Sequence, residues 1–137
     1  MNYSIKSVKR FDTPDGGGFN CTLYANGKKV AYVYDEGRGG CLFYDWIIGE
    51  RIDNEHDLDV TIYNLFDEWS RKKDEKRGIQ VKRDYGYATI EWRVQLPTLL
   101  KKYSNGLEAV QKKYDEVKGQ GEEVLNTAYL ASIGVNI

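Results

Sequence analysis

The sequence predicts an α+β fold, and three features of its hydropathy pattern support that class. Polar and apolar residues alternate through most of the first 48 positions, which indicates an antiparallel meander of four strands. From about residue 57 the apolar residues recur at helical spacing, and a later alternating segment is followed by further helical segments. We therefore expect the meander to pack against a long helix at about 57–77, with a further strand or hairpin and C-terminal helices.

The strongest local signal in the meander is the Asn26-Gly27 pair, which lies between two alternating runs. Asn-Gly favours the type I′ turn of a two-residue hairpin, because both central residues need a positive φ. The register that follows from this turn places six side chains on one core face, in three facing pairs: Leu23 with Val30, Cys21 with Tyr32, and Phe19 with Tyr34. The intervening residues Asn20, Thr22 and Tyr24 then point the other way.

Two glycine-rich connections flank this hairpin. Residues 14–18 are predicted to be a loop that follows a first strand at 3–11, since three consecutive glycines are costly to order. Residues 35–40 form the second connection and lead into a fourth strand at 41–47.

The long helix is predicted from apolar residues that share one helical face: Leu58, Ile62, Leu65, Phe66 and Trp69. Asn54 or Asp57 can cap its start, and Gly78 suits the position just after its end. Acidic residues in the first turn and basic residues in the last turn match the helix dipole.

The remaining chain carries one more strand signal and three helical segments. Alternation over 87–94 predicts a strand that ends before Pro97, and residues 79–83 are a candidate partner strand. Short helices are predicted after Pro97, at 107–117 and at 122–130. With 137 residues and 15.8 kDa, the chain is expected to form a single α+β domain over 1–137.

The net charge of −1 conceals two segments of opposite sign. Residues 35–68 hold ten acids and two bases, a net of −8, whereas residues 71–83 hold seven bases and two acids, a net of +5. Such segments are either solvated faces or docking patches for a charged partner. The balanced composition excludes disordered, collagenous and heavily basic nucleic-acid-coating proteins.

Targeting and redox signals indicate a cytoplasmic protein. No basic start precedes an apolar stretch of secretory type, and no apolar run approaches the ~20 residues that span a bilayer. Cys21 and Cys41 are therefore expected to be reduced and to act as small buried hydrophobes, with a disulfide between them left open. No membrane contact and no cofactor are expected.

The residues that could support catalysis lack a complete motif. His56, the only histidine, lies among carboxylates that could bind a divalent cation or assist a general base, but no second histidine or EF-hand pattern accompanies it. Cys41 could pair with His56 as a nucleophile, although no cysteine-hydrolase signature surrounds it. We therefore predict a protein that is not an enzyme.

Binding is predicted at two places instead. In the glycine-rich connection, Arg38 lies beside Asp35 and Glu36, and Tyr44 follows, a composition suited to a recognition loop. The second place is an acidic stretch whose carboxylates could imitate DNA phosphates toward a basic groove; its members are Asp53, Glu55, Asp57 and Asp59.

The run Leu23-Tyr24-Ala25-Asn26-Gly27-Lys28-Lys29-Val30-Ala31, followed by residues 35–40, resembles small uncharacterised proteins of bacteriophages and bacterial mobile elements with an LYxxGKxVA…DxGxGG core. Residues 91–93 and 99–103 are similar to the C-terminal part of such proteins. The resemblance covers about half of the chain. It implies an accessory protein inside a bacterial host cell and carries over no catalytic residue.

These features lead to one expected function and two alternatives. The first is binding and inhibition of a bacterial defence complex, such as a CRISPR effector, by protein–protein contact. The second is direct nucleic-acid binding through the 71–83 basic segment and aromatic side chains. The third is a small hydrolase that uses His56 or Cys41. The oligomeric state is not predicted.

Overall fold

The architecture is α+β, as the sequence predicted. The computed structural model describes residues 1–14, 16–37, 40–84 and 86–137. Its elements in chain order are β1 (Tyr3–Thr13), β2 (Gly16–Ala25), β3 (Lys28–Asp35), β4 (Phe43–Trp46), α1 (Glu55–Asp74), β5 (Gly78–Lys82), β6 (Tyr87–Glu91), α2 (Leu96–Lys102), α3 (Gly106–Gly119) and α4 (Thr127–Ser132).

Strands β1 to β4 form one antiparallel sheet in sequence order, which confirms the predicted meander, and β5 pairs with β6 in a second, smaller sheet. The chain divides into two compact units, an N-terminal unit (Met1–Phe66) and a C-terminal unit (Asp67–Ile137). Helix α1 contributes to both units. The single domain over 1–137 stays a prediction.

The predicted register of the β2–β3 hairpin is wrong by one residue. Tyr24 pairs with Lys29 but Leu23 pairs with Ala31, so Val30 is an extra residue on β3, a β-bulge. Beyond the bulge Cys21 faces Val33, and Phe19 faces Asp35. Because side chains alternate along a strand, this shift turns Tyr32 and Tyr34 to the solvent side and Ala31 and Val33 into the core.

The core of the N-terminal unit lies between the inner face of the four-stranded sheet and the first turns of α1. From the sheet it contains Phe19, Leu23 and Val33, and from the helix Leu58 and Ile62, all at most 1% exposed. Phe19 stacks on Phe66 with ring centroids 3.9 Å apart and meets Tyr63 edge to face at 5.9 Å. The predicted packing of the meander against the helix is therefore observed.

The triple glycine belongs to β2 and not to a loop, which corrects the predicted loop at residues 16–18, while Asp15 lies outside the described residues. Gly18 is buried opposite Phe11. A Cβ there would lie 2.6 Å from the Phe11 ring and 2.5 Å from the Asp35 carbonyl oxygen. Glycine is required at this position because the ring and the neighbouring strand occupy the space of a side chain.

Helix α1 begins two residues before the predicted start and ends three residues before the predicted end. The Asn54 side-chain oxygen accepts hydrogen bonds from the backbone N–H groups of His56 (2.9 Å) and Asp57 (3.3 Å), which confirms Asn54 as the N-cap. Gly78 is not part of the helix end. It opens β5, where a Cβ would collide with the Ile90 carbonyl.

In the C-terminal unit, the last helix starts later than predicted because residues 123–125 pair with β5. Val81 and Val124 form a bridge, and the Leu125 N–H donates to the Gln80 carbonyl at 2.8 Å. The Asn126 side chain then receives the Gln80 N–H at 3.0 Å and donates to the Gly78 carbonyl at 2.8 Å. Backbone pairing thus occupies the segment that the apolar spacing had assigned to a helix.

Candidate functional site

The solvent side of the four-stranded sheet, here called the outer face, has an ordered arrangement of side chains. One row across the strands reads Lys6, Thr22, Tyr32, Asp45, and the next reads Lys9, Asn20, Tyr34, Phe43. A third row holds Ser4, Tyr24 and Lys29, and Phe11 lies opposite Gly18. Each of the first two rows therefore places a lysine on β1, a small polar residue on β2 and a tyrosine on β3.

The aromatic side chains of the outer face are unusually exposed. Phe43 is 54% exposed, Tyr34 40%, Tyr32 39% and Phe11 37%. Large apolar side chains that cluster on a surface mark interaction sites, whereas single exposed ones need no explanation. Four of them on one sheet face form such a cluster.

Lysines accompany these rings. The Lys6 ammonium lies 4.7 Å from the centroid of the Tyr24 ring, and the Lys29 ammonium lies 6.0 Å from that of Tyr32. Both distances fall within the range of a cation–π contact. With Lys9 in the row of Tyr34, the rows of the outer face within the described part of the chain carry three lysines against one acid, Asp45. It is a basic aromatic surface on a unit whose sequence is acidic overall.

The predicted acidic stretch lies on the other side of the sheet and is held by internal hydrogen bonds. The Tyr44 hydroxyl donates to the Asp59 carboxylate at 2.7 Å, and the Leu42 N–H donates to the same group at 3.2 Å. Burial, this hydrogen bond and the Asp59 charge raise the pKa of Tyr44 far above its usual value. The Tyr44 side chain therefore has a structural role, since it connects β4 to α1.

Two further aromatic groups bond to carboxylates in the same region. The Trp46 indole N–H donates to Glu55 at 3.1 Å, and the Tyr3 hydroxyl donates to Asp53 at 2.9 Å. Burial, the hydrogen bond and the Asp53 charge raise the pKa of Tyr3 to about 12. The pKa of Asp53 is lowered by the Asn54 N–H and by Tyr3.

The predicted recognition loop is anchored at its start by Asp35. One carboxylate oxygen accepts the Gly37 N–H at 2.8 Å and the other accepts the Tyr63 hydroxyl at 3.1 Å. Glu36 and Asp57 are exposed, and among the described residues no side chain donates to Asp57. Arg38, the central residue of the predicted loop, lies outside the described residues.

The basic segment 71–83 is largely neutralised by ion pairs. The pairs are Arg71–Asp67 at 3.0 Å, Lys72–Glu75 at 3.1 Å, Arg77–Asp74 at 3.7 Å, Lys82–Glu123 at 3.6 Å and Arg83–Glu122 at 2.8 Å. Two of these acids belong to the segment and three lie outside it, so five carboxylates offset its seven bases. This local balance weakens the case for a phosphate-binding groove at 71–83.

The residues considered for catalysis remain apart from any recognisable site. Cys21 is buried as predicted, and burial raises the pKa of its thiol to about 12, which makes it a poor nucleophile. Cys41 is exposed, so its predicted burial is wrong, and both thiols are free. Within residues 1–14, 16–37, 40–84 and 86–137, no three His, Cys, Asp or Glu side chains are grouped to hold a metal ion. In the same residues no helix is long and apolar enough to cross a bilayer.

No protein-family model matches the chain, and no curated protein or solved structure is significantly similar to it.

Sequence reasoning missed most of the outer face. The signal was the alternation of Tyr32 and Tyr34 with Ala31 and Val33, in which the smaller residues are the buried ones. If the hairpin had a two-residue turn and no bulge, these tyrosines would lie in the core. The sequence pattern does not reveal the bulge at Val30 that turns them to the solvent side.

Proposed function

We propose that this protein is a non-catalytic binding protein whose recognition surface is the outer face of the four-stranded sheet. The observation that carries the proposal is the cluster of exposed rings beside lysines, formed by Phe11, Tyr32, Tyr34 and Phe43. Aromatic side chains supply large contact areas at low entropic cost, and tyrosine in particular pairs an apolar ring with a polar end.

The proposed biological role is inhibition of a bacterial defence complex, such as a CRISPR effector, by direct contact in the host cytoplasm. The resemblance to phage and mobile-element proteins supports this choice of target. The paired strands favour binding by direct contact, because a surface built on a hydrogen-bonded sheet binds without a large ordering cost.

The acidic stretch is the rival surface for the same role. Asp53, Glu55 and Asp59 accept hydrogen bonds from aromatic side chains of their own chain. DNA mimicry would need these carboxylates to face a partner's cations, and their internal bonds favour a structural role. The outer face is therefore the better supported surface.

Affinity purification from a bacterial host tests the proposal. We expect the tagged protein to recover one stoichiometric complex, and we expect the double substitution Tyr32→Ala, Phe43→Ala to abolish that recovery. Tyr103→Ala is the matched control, since Tyr103 is 53% exposed and lies outside the outer face. The recovered complex is then assayed for defence activity with and without the protein.

Two results would contradict the proposal. If the double variant recovers the complex as well as the wild type does, the outer face is not the recognition surface. If Asp57→Asn abolishes recovery while the double variant does not, the acidic stretch is the binding surface.

A further inference from the structure

The outer face combines the two features that single-stranded nucleic acid requires of a protein surface. Tyr32 and Tyr34 are two residues apart on β3, so the backbone positions that carry their rings lie about 7 Å apart along the strand. Phe43 pairs with Tyr34 across one strand spacing. Each of the two tyrosines on β3 shares its row with a lysine on β1: Tyr32 with Lys6, and Tyr34 with Lys9.

We propose that the outer face binds single-stranded nucleic acid, with bases stacked on Tyr32, Tyr34 and Phe43 and phosphates held by Lys6, Lys9 and Lys29. The inference rests on the proposed function, because it names the ligand of the same surface within a defence or nucleic-acid-processing complex. A face of an antiparallel sheet that carries aromatic side chains is a known platform for unpaired bases.

Charge distinguishes this ligand from a protein partner. Lysine is depleted in the buried centres of protein–protein interfaces, whereas tyrosine is enriched there. Among the described residues that pair across the sheet, the outer face places three lysines among its rings and one acid, Asp45. That combination matches a polyanion with flat, stackable groups better than it matches a protein surface.

A second copy of the chain is a poor occupant for the same reason. Two outer faces brought together would oppose their lysines, and like charges in contact cost binding energy. The carboxylates of Asp53, Asp59 and Glu55 bond to Tyr3, Tyr44 and Trp46 on the inner side, so these three do not neutralise the outer face locally.

The structure also changes where nucleic acid would bind. The sequence suggested residues 71–83, where five of the seven bases are paired with carboxylates and Lys73 lies over the Trp69 ring. On the outer face, Lys6 and Lys29 lie against rings rather than against acids. Their charges remain available for phosphate, and the adjacent rings provide the stacking surface.

The ligand is expected to be single-stranded and recognised with little sequence preference. Stacking tolerates every base, because each base has a flat aromatic face. The β2 positions between the lysines and the rings are Thr22, which is 7% exposed, and half-buried Asn20. These two short side chains offer few groups for base-specific hydrogen bonds. A duplex is excluded as the preferred ligand because its bases are already stacked on one another.

Fluorescence anisotropy with the full chain tests this inference. The probes are fluorescein-labelled oligo(dT) and oligo(rU) of about 12 nucleotides, with a duplex of equal length as a comparison. At about 50 mM salt we expect binding of the single strands, with log Kd changing by about 2 per tenfold change in salt if all three lysines contact phosphate.

Variants locate the binding surface. We expect Tyr32→Ala, Tyr34→Ala and Phe43→Ala each to weaken binding about 5- to 150-fold, the effect of losing one stacked base. Tyr103→Ala should have no effect. We expect Lys6→Gln with Lys9→Gln to lower the salt slope by about 1.4, whereas the control pair Lys101→Gln with Lys102→Gln leaves it unchanged.

Several outcomes overturn the inference. They are absence of single-strand binding at low salt, equal binding of the duplex, and binding that the outer-face variants do not weaken. If oligonucleotides do not bind but the purified host complex is still lost in the Tyr32→Ala, Phe43→Ala variant, the inference fails and the proposed function stands, with a protein as the occupant. Because the substituted side chains are exposed, unchanged circular dichroism and thermal unfolding of each variant verify that the fold is intact.

Discussion

The two faces of the four-stranded sheet use the same residue types for opposite purposes. On the inner side, aromatic side chains donate hydrogen bonds to carboxylates of α1, as in Tyr44–Asp59 and Trp46–Glu55. On the outer face, aromatic side chains lie beside lysines and remain exposed, as in Tyr32 with Lys29. The comparison teaches that aromatic and charged residues indicate a binding surface only when the fold leaves them without a structural partner.

The largest expected difference between the faces is in their contribution to stability. We expect Phe19→Ala to lower the free energy of unfolding by about 3–5 kcal/mol, because it removes a fully buried ring that stacks on Phe66. We expect Phe43→Ala, on the outer face, to change it by no more than about 0.5 kcal/mol. Urea unfolding measures both, and a large loss in Phe43→Ala would show that the outer face is part of a core.

The next largest effect concerns the triple glycine. We expect Gly18→Ala to cost about 1–3 kcal/mol, because the new methyl group overlaps the Phe11 ring and the Asp35 carbonyl. The control is Gly17→Ala, whose Cβ would meet only the Phe11 carbonyl oxygen at 3.8 Å. Thermal unfolding of both variants tests the prediction, and equal losses would contradict it.

A smaller effect on the free energy of unfolding is expected when a tyrosine hydroxyl group is removed from either face. We expect Tyr44→Phe to cost about 1 kcal/mol, because it removes the half-buried hydrogen bond to Asp59. Tyr34→Phe should leave the free energy of unfolding unchanged, because the Tyr34 ring is exposed on the outer face. Chemical denaturation compares the two substitutions, and a cost for Tyr34→Phe would assign that hydroxyl a structural bond.

The smallest expected effect appears at alkaline pH. The pKa of Tyr3 is raised to about 12, so its neutral, hydrogen-bonded form stabilises the fold fully below about pH 10, the pKa of an unfolded tyrosine. The contribution is lost as the pH rises through 12. We expect the stability difference between the wild type and Tyr3→Phe to shrink over that interval.

Denaturant unfolding at several pH values measures this difference. Tyr103→Phe is the control, since Tyr103 is exposed. A difference that stays constant up to pH 12 would show that the Tyr3 hydroxyl bond to Asp53 does not form.

Much of the fold could be predicted from the sequence because local patterns encode it. The Asn26-Gly27 turn, the apolar face of α1 and the capping by Asn54 depend on neighbouring residues alone. The candidate site was less predictable. Asp53, Glu55 and Asp59 look like an exposed acidic stretch, and only their partners on β1 and β4 show that they are used internally.

The sequence by itself determined the α+β class, the order of the strands and the approximate bounds of the long helix, because alternation and helical spacing are local properties. Tertiary structure decided which face each tyrosine occupies and which charges are paired. The bulge at Val30 reversed the orientation of Tyr32 and Tyr34, and ion pairs with distant acids offset the 71–83 bases. Both outcomes depend on strand register and on contacts between residues far apart in the chain, which no local pattern records.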